Sequence, residues 1–283
     1  MRADLPLSTL RLCASQELLL AARSRWTQIF ALVFGGLALA VASSGYILSG
    51  GSGVQDFART SASLVQLVLL LVPLTSIVMG VLALTPERGG AEVLYAQPVG
   101  RPSVLVGTLV GLFGALVGAQ AIGFGAAGLV IFARVGSDGL GGFAIVALGS
   151  AVLTAVFLAL AAVVSVGQIG RRRVRALAIA LVVWFALALL VDVAALAAAS
   201  LLRSGAASRL LITSVLINPI GAVRTGALLS IEGTGAFGAA SLALLRFTGG
   251  AFNTALAIAA SAIAWIVVPT WIAAWRLGRA DIA

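Results

Sequence analysis

Asp192 interrupts an apolar run that extends from Ala176 to Leu202, shortly after the pair Trp184-Phe185. A carboxylate placed so deep among apolar residues is expensive to hold. It either lines a path or binds a cation, or it is the structural partner of an arginine or a backbone amide. A second concentration of polar chemistry is the break Glu87-Arg88-Gly89-Gly90-Ala91-Glu92-Val93-Leu94-Tyr95-Ala96-Gln97-Pro98-Val99-Gly100-Arg101. A third is Asn218-Pro219, followed by Arg224.

The usual reactive residues are scarce. The chain has no histidine and no lysine, and its 18 cationic side chains are all arginine. Without lysine there is no Gly-Lys-Ser/Thr phosphate loop, so ATP hydrolysis by that route belongs to another chain. Without histidine, and with Cys13 as the single cysteine, neither a Ser-His-Asp triad nor a common zinc cluster can be built. Met1 and Met79 do not make a soft copper site. No catalytic residue, metal ligand or resident cofactor is therefore expected, and the chain reads as one that moves, anchors or transmits rather than as an enzyme.

The elements that must position these residues are membrane helices. Hydrophobic residues make up 61% of the chain and its mean hydropathy is +1.15, too apolar for a water-facing surface. Spanning the bilayer takes about 20 apolar residues. Six stretches qualify, at about 29–48, 64–84, 104–133, 142–167, 176–202 and 254–275. The arginines between them sort twelve to one side and six to the other, which puts both termini on the cytoplasmic side of a bacterial or archaeal inner membrane. The run Arg171-Arg172-Arg173-Val174-Arg175 is the strongest marker, as a topology anchor or as a contact with anionic lipid or an acidic partner. No basic stripe with interleaved aromatics suggests nucleic acid.

Between the spans, several local signals predict structure. Residues 9–26 read as a helix of mixed polarity ending in Glu17, Arg23, Arg25 and Trp26. It is either an elbow helix that senses a partner or a membrane-surface anchor. Ala91–Gln97 is long enough for about two helical turns, with Glu92 in the first turn and Pro98 ending it. Gly107, Gly111, Gly114 and Gly118 form small-xxx-small pairs, suited to packing within the bundle or to a dimer seam. Between spans five and six, Asn218-Pro219 is a helix start with Asn as N-cap and Pro at the first helical position. Helices are expected over Ile220–Leu229 and Thr234–Arg246. This long segment is either a surface for an external partner or a re-entrant hairpin.

The break after span two resembles the coupling region of ABC-type exporter permeases. Glu87, Gly89, Glu92, Leu94, Gln97, Pro98, Val99 and Arg101 fit its pattern, while Gly90 stands where that family usually has Thr. Glu17-Leu18 and Arg23-Ser24-Arg25-Trp26 resemble the family's elbow helix. The resemblance implies a fold of six transmembrane helices, all α, with an elbow helix, a cytoplasmic coupling helix and short extracytoplasmic helices before the last span. It implies a cytoplasmic ABC ATPase subunit, carrying ATP and Mg, docked on Glu87, Gly89, Glu92, Leu94, Pro98 and Arg101.

A narrower resemblance rests on Arg175-Ala176-Leu177, Trp184-Phe185, Asp192, Asn218-Pro219 and Arg224. It is to permeases of transporters that assist copper-site assembly in nitrous oxide reductase. It implies a second copy of the chain and a periplasmic accessory protein held near Asn218, Pro219 and Arg224, with membrane lipid around the whole. With no metal ligands in this chain, mechanical transmission is the favoured expectation. The alternatives are a general exporter for lipid, drug or peptide, and an ion-coupled secondary transporter using Asp192.

Overall fold

A computed structural model describes residues 7–47, 53–85, 100–135, 140–168, 173–232 and 239–279, and every regular element among them is helical. The helices are α1 (Leu7–Arg23), α2 (Arg25–Ile47), α3 (Gly53–Leu84), α4 (Arg101–Val135) and α5 (Leu140–Val166). They continue with α6 (Arg173–Phe185), a π turn (Ala186–Leu190), α7 (Val191–Ser200), α8 (Ser204–Ile217), α9 (Pro219–Glu232), α10 (Ala239–Thr248) and α11 (Ala251–Arg279). Among the described residues six helices are long and apolar enough to cross a membrane, α6 to α7 counting as one, or seven if α8 and α9 together make one bent span, so the chain is an all-α, multi-span membrane protein. Residues 86–99 lie outside the described residues, and with them Glu87, Gly89, Glu92, Leu94 and Pro98.

The core is made where small residues let helices close on one another. A Cβ on Gly123 of α4 would lie 2.9 Å from the Cα of Gly35 on α2 and 2.8 Å from the Phe34 ring. Beside this contact, Phe30, Phe34, Phe124 and Phe143 form a chain of rings with centroids 5.5, 5.2 and 5.6 Å apart. On the other side of the bundle, Gly80 of α3 admits Ala161 and Leu158 of α5. A buried polar set ties α4 to α5: Gln120 donates to the Thr154 hydroxyl at 2.8 Å and accepts from Ser150. Having its amide satisfied on both ends makes a buried glutamine tolerable at this depth.

The α4 glycines have a definite occupant. A Cβ on Gly107 would sit 2.6 Å from the Cys13 Cβ, and one on Gly111 would sit 2.5 Å from the Ala14 carbonyl oxygen and 2.9 Å from the Leu18 nitrogen. Both stripes advance together along the sequence, so α1 runs parallel to α4 with its backbone nearly touching. Gly118 meets nothing within 4 Å. The 35 residues of α4 extend about 52 Å, well beyond a hydrocarbon core of about 30 Å, and α1 covers part of that excess. The helix expected over 9–26 ends at Arg23; Arg25 and Trp26 belong to α2, the first span. Ser24 marks the break, its N–H still bonded to the Ala21 carbonyl at 3.1 Å.

Candidate functional site

The segment before the last span is sharply bent. α8 and α9 meet at Asn218 with a bend of 100°, and at 14 residues each neither arm is long enough to cross a membrane alone. At 14 residues, α9 is about 21 Å long. Its near arm is deeply seated: Asn218, Ile220 and Ala222 are at most 3% exposed. Gly149 of α5 leaves the space that Val223 fills, since a Cβ there would approach its Cγ1 to 2.8 Å. α9 also packs on α3 and α11.

Proline at 219 cannot donate a backbone hydrogen bond, so α8 must end just before it and leave carbonyls unpaired. The last span supplies the missing donors. Ser261 donates to the Leu216 carbonyl at 2.5 Å and Trp265 Nε1 to the Ile217 carbonyl at 2.8 Å. The other half of the bend is closed by Asn218 itself. Its side-chain oxygen accepts from the Ile220 N–H at 3.1 Å, the expected N-cap bond.

The Asn218 amide nitrogen points the opposite way, into the fifth span. It donates to the Leu187 carbonyl at 2.8 Å and to Asp192 Oδ1 at 3.2 Å. Arg224, one and a half turns into α9, reaches Asp192 Oδ2 at 2.6 Å. Both carboxylate oxygens are thus engaged, one by an amide and one by a guanidinium. The ion pair is not sealed, since the side chains are 31% and 30% exposed. Leu187 lies in the π turn, where the Val191 N–H reaches back to the Ala186 carbonyl. That wider ring loosens the local ladder and leaves Leu187 a carbonyl to offer. Trp184, just before the turn, has a buried Nε1 with no hydrogen-bond partner among the described residues.

Asp192, Asn218 and Arg224 therefore form one constellation, assembled from a span, a helix junction and the second arm of the bent pair. The geometry makes Asp192 an ion-pair partner of Arg224. Asn218 and Pro219 are buried within this chain, and Asn218 spends its polar atoms inside. Ser261, Trp265 and the π turn are parts of the site that the sequence motifs do not mark. A serine and a tryptophan four apart on one face of the last span were the available signal for the first two, and nothing in Ala186-Leu187-Ala188-Leu189-Leu190 announces the third.

At the opposite end, Arg173 opens α6 and donates to the Leu82 carbonyl, in the last turn of α3, at 2.8 Å. A cation there suits the partial negative charge of a helix C-terminus. Arg101 is the first residue of α4. Glu17 sits half-buried between α1 and α4, and burial pushes its carboxyl above the ordinary carboxylate range. Arg23 is in the last turn of α1.

A multi-span helical membrane protein with a bent helix pair locked to a span by an ion pair is the class that these features define. The model of the ABC-2 family transporter protein matches residues 12–282, and the chain belongs to that family. Among its relatives is the probable ABC transporter permease protein NosY of Stutzerimonas stutzeri, 35% identical over 236 residues that cover 81% of this chain and 85% of the relative. The protein of the same description from Pseudomonas aeruginosa is 32% identical over 267 residues, 92% of each chain. Family membership and the engagement of Asp192 by Arg224 set aside the ion-coupled secondary transporter. Permeases of ABC transporters are not themselves enzymes, and membership implies an ATPase partner.

Proposed function

We propose that this chain is the permease subunit of an ABC transporter that passes the work of a separate cytoplasmic ATPase to a partner on the far side of the membrane, in the service of copper-site maturation in nitrous oxide reductase. The observation that carries the mechanical part is the Asp192–Asn218–Arg224 lock between the fifth span and the bent pair. The similarity to NosY permeases carries the copper part, and the absence of lysine supports an ATP site on another chain.

In this reading the ATPase, with ATP and Mg, docks on Glu87, Gly89, Glu92, Leu94, Pro98 and Arg101. Both termini are cytoplasmic, and the permease acts as a homodimer. The docking segment joins α3 to α4. Movement there reaches α6 through the Arg173–Leu82 bond, because that bond fixes the start of the fifth span to the end of α3. A straight helix transmits such a shift along its axis. The π turn is the compliant point, and just past it Asp192 hands the motion to α9. The bent pair then moves as a unit, because Ser261 and Trp265 hold its bend. The exposed arm α8, bearing Arg209, is the part left to meet a NosD-like periplasmic protein.

The experiment is co-expression of the chain with its ATPase, accessory protein and reductase, scored by copper content of the reductase. Glu87→Ala combined with Arg101→Ala is expected to abolish ATPase co-purification and maturation together. Asp192→Asn is expected to keep ATPase co-purification and lose maturation. Normal maturation in the Asp192 variant would sink the transmission reading; an ATPase that never co-purifies with the wild-type chain would sink the coupling.

A further inference from the structure

The bent pair does not use a second polar feature, at the end of the bundle where α1 breaks. A cavity of about 440 Å³ opens there between the α1–α2 junction, the end of α3, the first half of α4 and the start of α6. Its wall is mostly apolar, with Leu20, Met79, Leu82 and Leu112 prominent, and it carries Glu17 at one side and Arg173 at another. Glu17 also borders a smaller space of about 160 Å³ toward Cys13 and Thr108. Among the described residues the Glu17 carboxylate has neither an ion-pair nor a hydrogen-bond partner.

A half-buried, unpartnered carboxylate in an apolar cavity is a costly arrangement unless a cation completes it. Three observations narrow the cation. Trp26 lines the same cavity, and an indole face attracts ammonium groups. Arg173, already holding the Leu82 carbonyl, adds positive charge at another part of the wall, which suits an anionic group carried by the same ligand. The neighbouring surface is apolar: Leu18 and Leu19 on α1 and Trp26 and Ile29 on the first span are all exposed. A ligand with an ammonium, a phosphate and hydrocarbon tails meets every one of these demands.

We infer that the cavity between the α1–α2 junction, α3, α4 and α6 binds the headgroup of an amine-bearing phospholipid, with its ammonium on Glu17 and Trp26, its phosphate toward Arg173 and its chains along α1 and α2. This goes beyond the transmission proposal and stands apart from it. It makes a resident lipid part of the joint where α3 and α6 are tied.

The test is native mass spectrometry of the full chain, purified from membranes and re-equilibrated with equal amounts of phosphatidylethanolamine and phosphatidylglycerol. Wild-type protein should retain the ethanolamine lipid preferentially. Glu17→Gln, nearly isosteric and uncharged, should lower that retention by ~5- to 10-fold and leave the glycerol lipid unchanged. Ala83→Leu, which fills the cavity without altering charge, should lower it as well, so a folding defect of one variant does not decide the matter. Soluble phosphoethanolamine at millimolar concentration should not displace the lipid. Equal retention of the two lipids by the wild type, or unchanged ethanolamine-lipid retention in both variants, would overturn the inference. Displacement by phosphoethanolamine would overturn the assignment to a lipid.

Discussion

At the α1–α4 contact, backbone meets backbone: Gly107 and Gly111 admit α1 so closely that no side chain larger than hydrogen fits. At the contact between α7 and α9, side chains reach across a gap, and Asp192, Asn218 and Arg224 do the holding. The first kind of joint works by shape. It has many small dispersion terms, no single switchable bond, and a steep repulsive wall on one side. The second works by a few directional bonds, each strong at its own distance and lost beyond it. A shape joint suits an element that must stay docked, whereas a bonded joint has discrete made and broken states. In a protein proposed to pass motion across a membrane, the bonded joint is where that motion is expected to act.

The comparison breaks most visibly on the shape side. Gly111→Val places carbon within 2.5 Å of the Ala14 carbonyl oxygen and 2.9 Å of the Leu18 nitrogen, both backbone atoms that cannot rotate away. The expected cost exceeds the ~1–3 kcal/mol of ordinary overpacking, and α1 undocks from α4. The lone cysteine reports it directly. Cys13 is partly covered in the docked state, so a water-soluble maleimide should label the variant several-fold faster than the wild type. Unchanged labelling would mean that α1 is not held by this stripe.

On the bonded side, removing one charge is expected to cost less. A fully buried pair loses ~3–5 kcal/mol when one partner goes, and here both side chains keep nearly a third of their exposure, so about 2–3 kcal/mol is expected. Asp192→Asn and Arg224→Gln should each lower the melting temperature of the detergent-solubilised chain. In the double variant neither charge is stranded, so its loss should be smaller than the sum of the two single losses by a coupling energy of about 1–2 kcal/mol in a double-mutant cycle. Strict additivity would show that the pair is not energetically linked.

These two joints also differ in how far the sequence reveals them. The six spans are legible because length and hydropathy leave few alternatives; the Asn218-Pro219 helix start is legible because both residues act on their own backbone. The glycine stripe on α4 is visible as a pattern, but its occupant is not, since small-xxx-small spacing says only that something comes close. Asp192 is conspicuous, yet its partner lies 32 residues away on an arm whose 100° bend is a tertiary fact. The π turn is the least legible. Its five residues are alanine and leucine, and the Asn218 amide that takes the Leu187 carbonyl comes from a distant part of the chain.

The bend itself offers a sharper, smaller test. Trp265→Phe keeps the ring and removes the donor to the Ile217 carbonyl, and Ser261→Ala does the same for Leu216. Each should cost about 1 kcal/mol, because a carbonyl freed by Pro219 is left without its protein donor. If the bent pair moves as a unit, the two losses together should also weaken maturation more than their effect on melting temperature accounts for. A variant that melts lower and matures normally would separate the bent pair's stability from its role.

The smallest expected effect belongs to Glu17, and its sign distinguishes the environment around it. Burial raises the folded-state pKa of this carboxyl above its unfolded value, so stability present below the unfolded pKa is lost as pH rises through the folded one. In detergent stripped of amine lipids, Glu17→Gln should remove that loss: the variant should melt slightly higher than the wild type at pH 7–8 and show no advantage at pH 4. In bilayers of phosphatidylethanolamine the order should reverse, because only the charged wild type gains from the ammonium. A variant that is more stable in both surroundings would leave Glu17 as a buried charge with no ligand, and one that is less stable in both would place its partner within the protein.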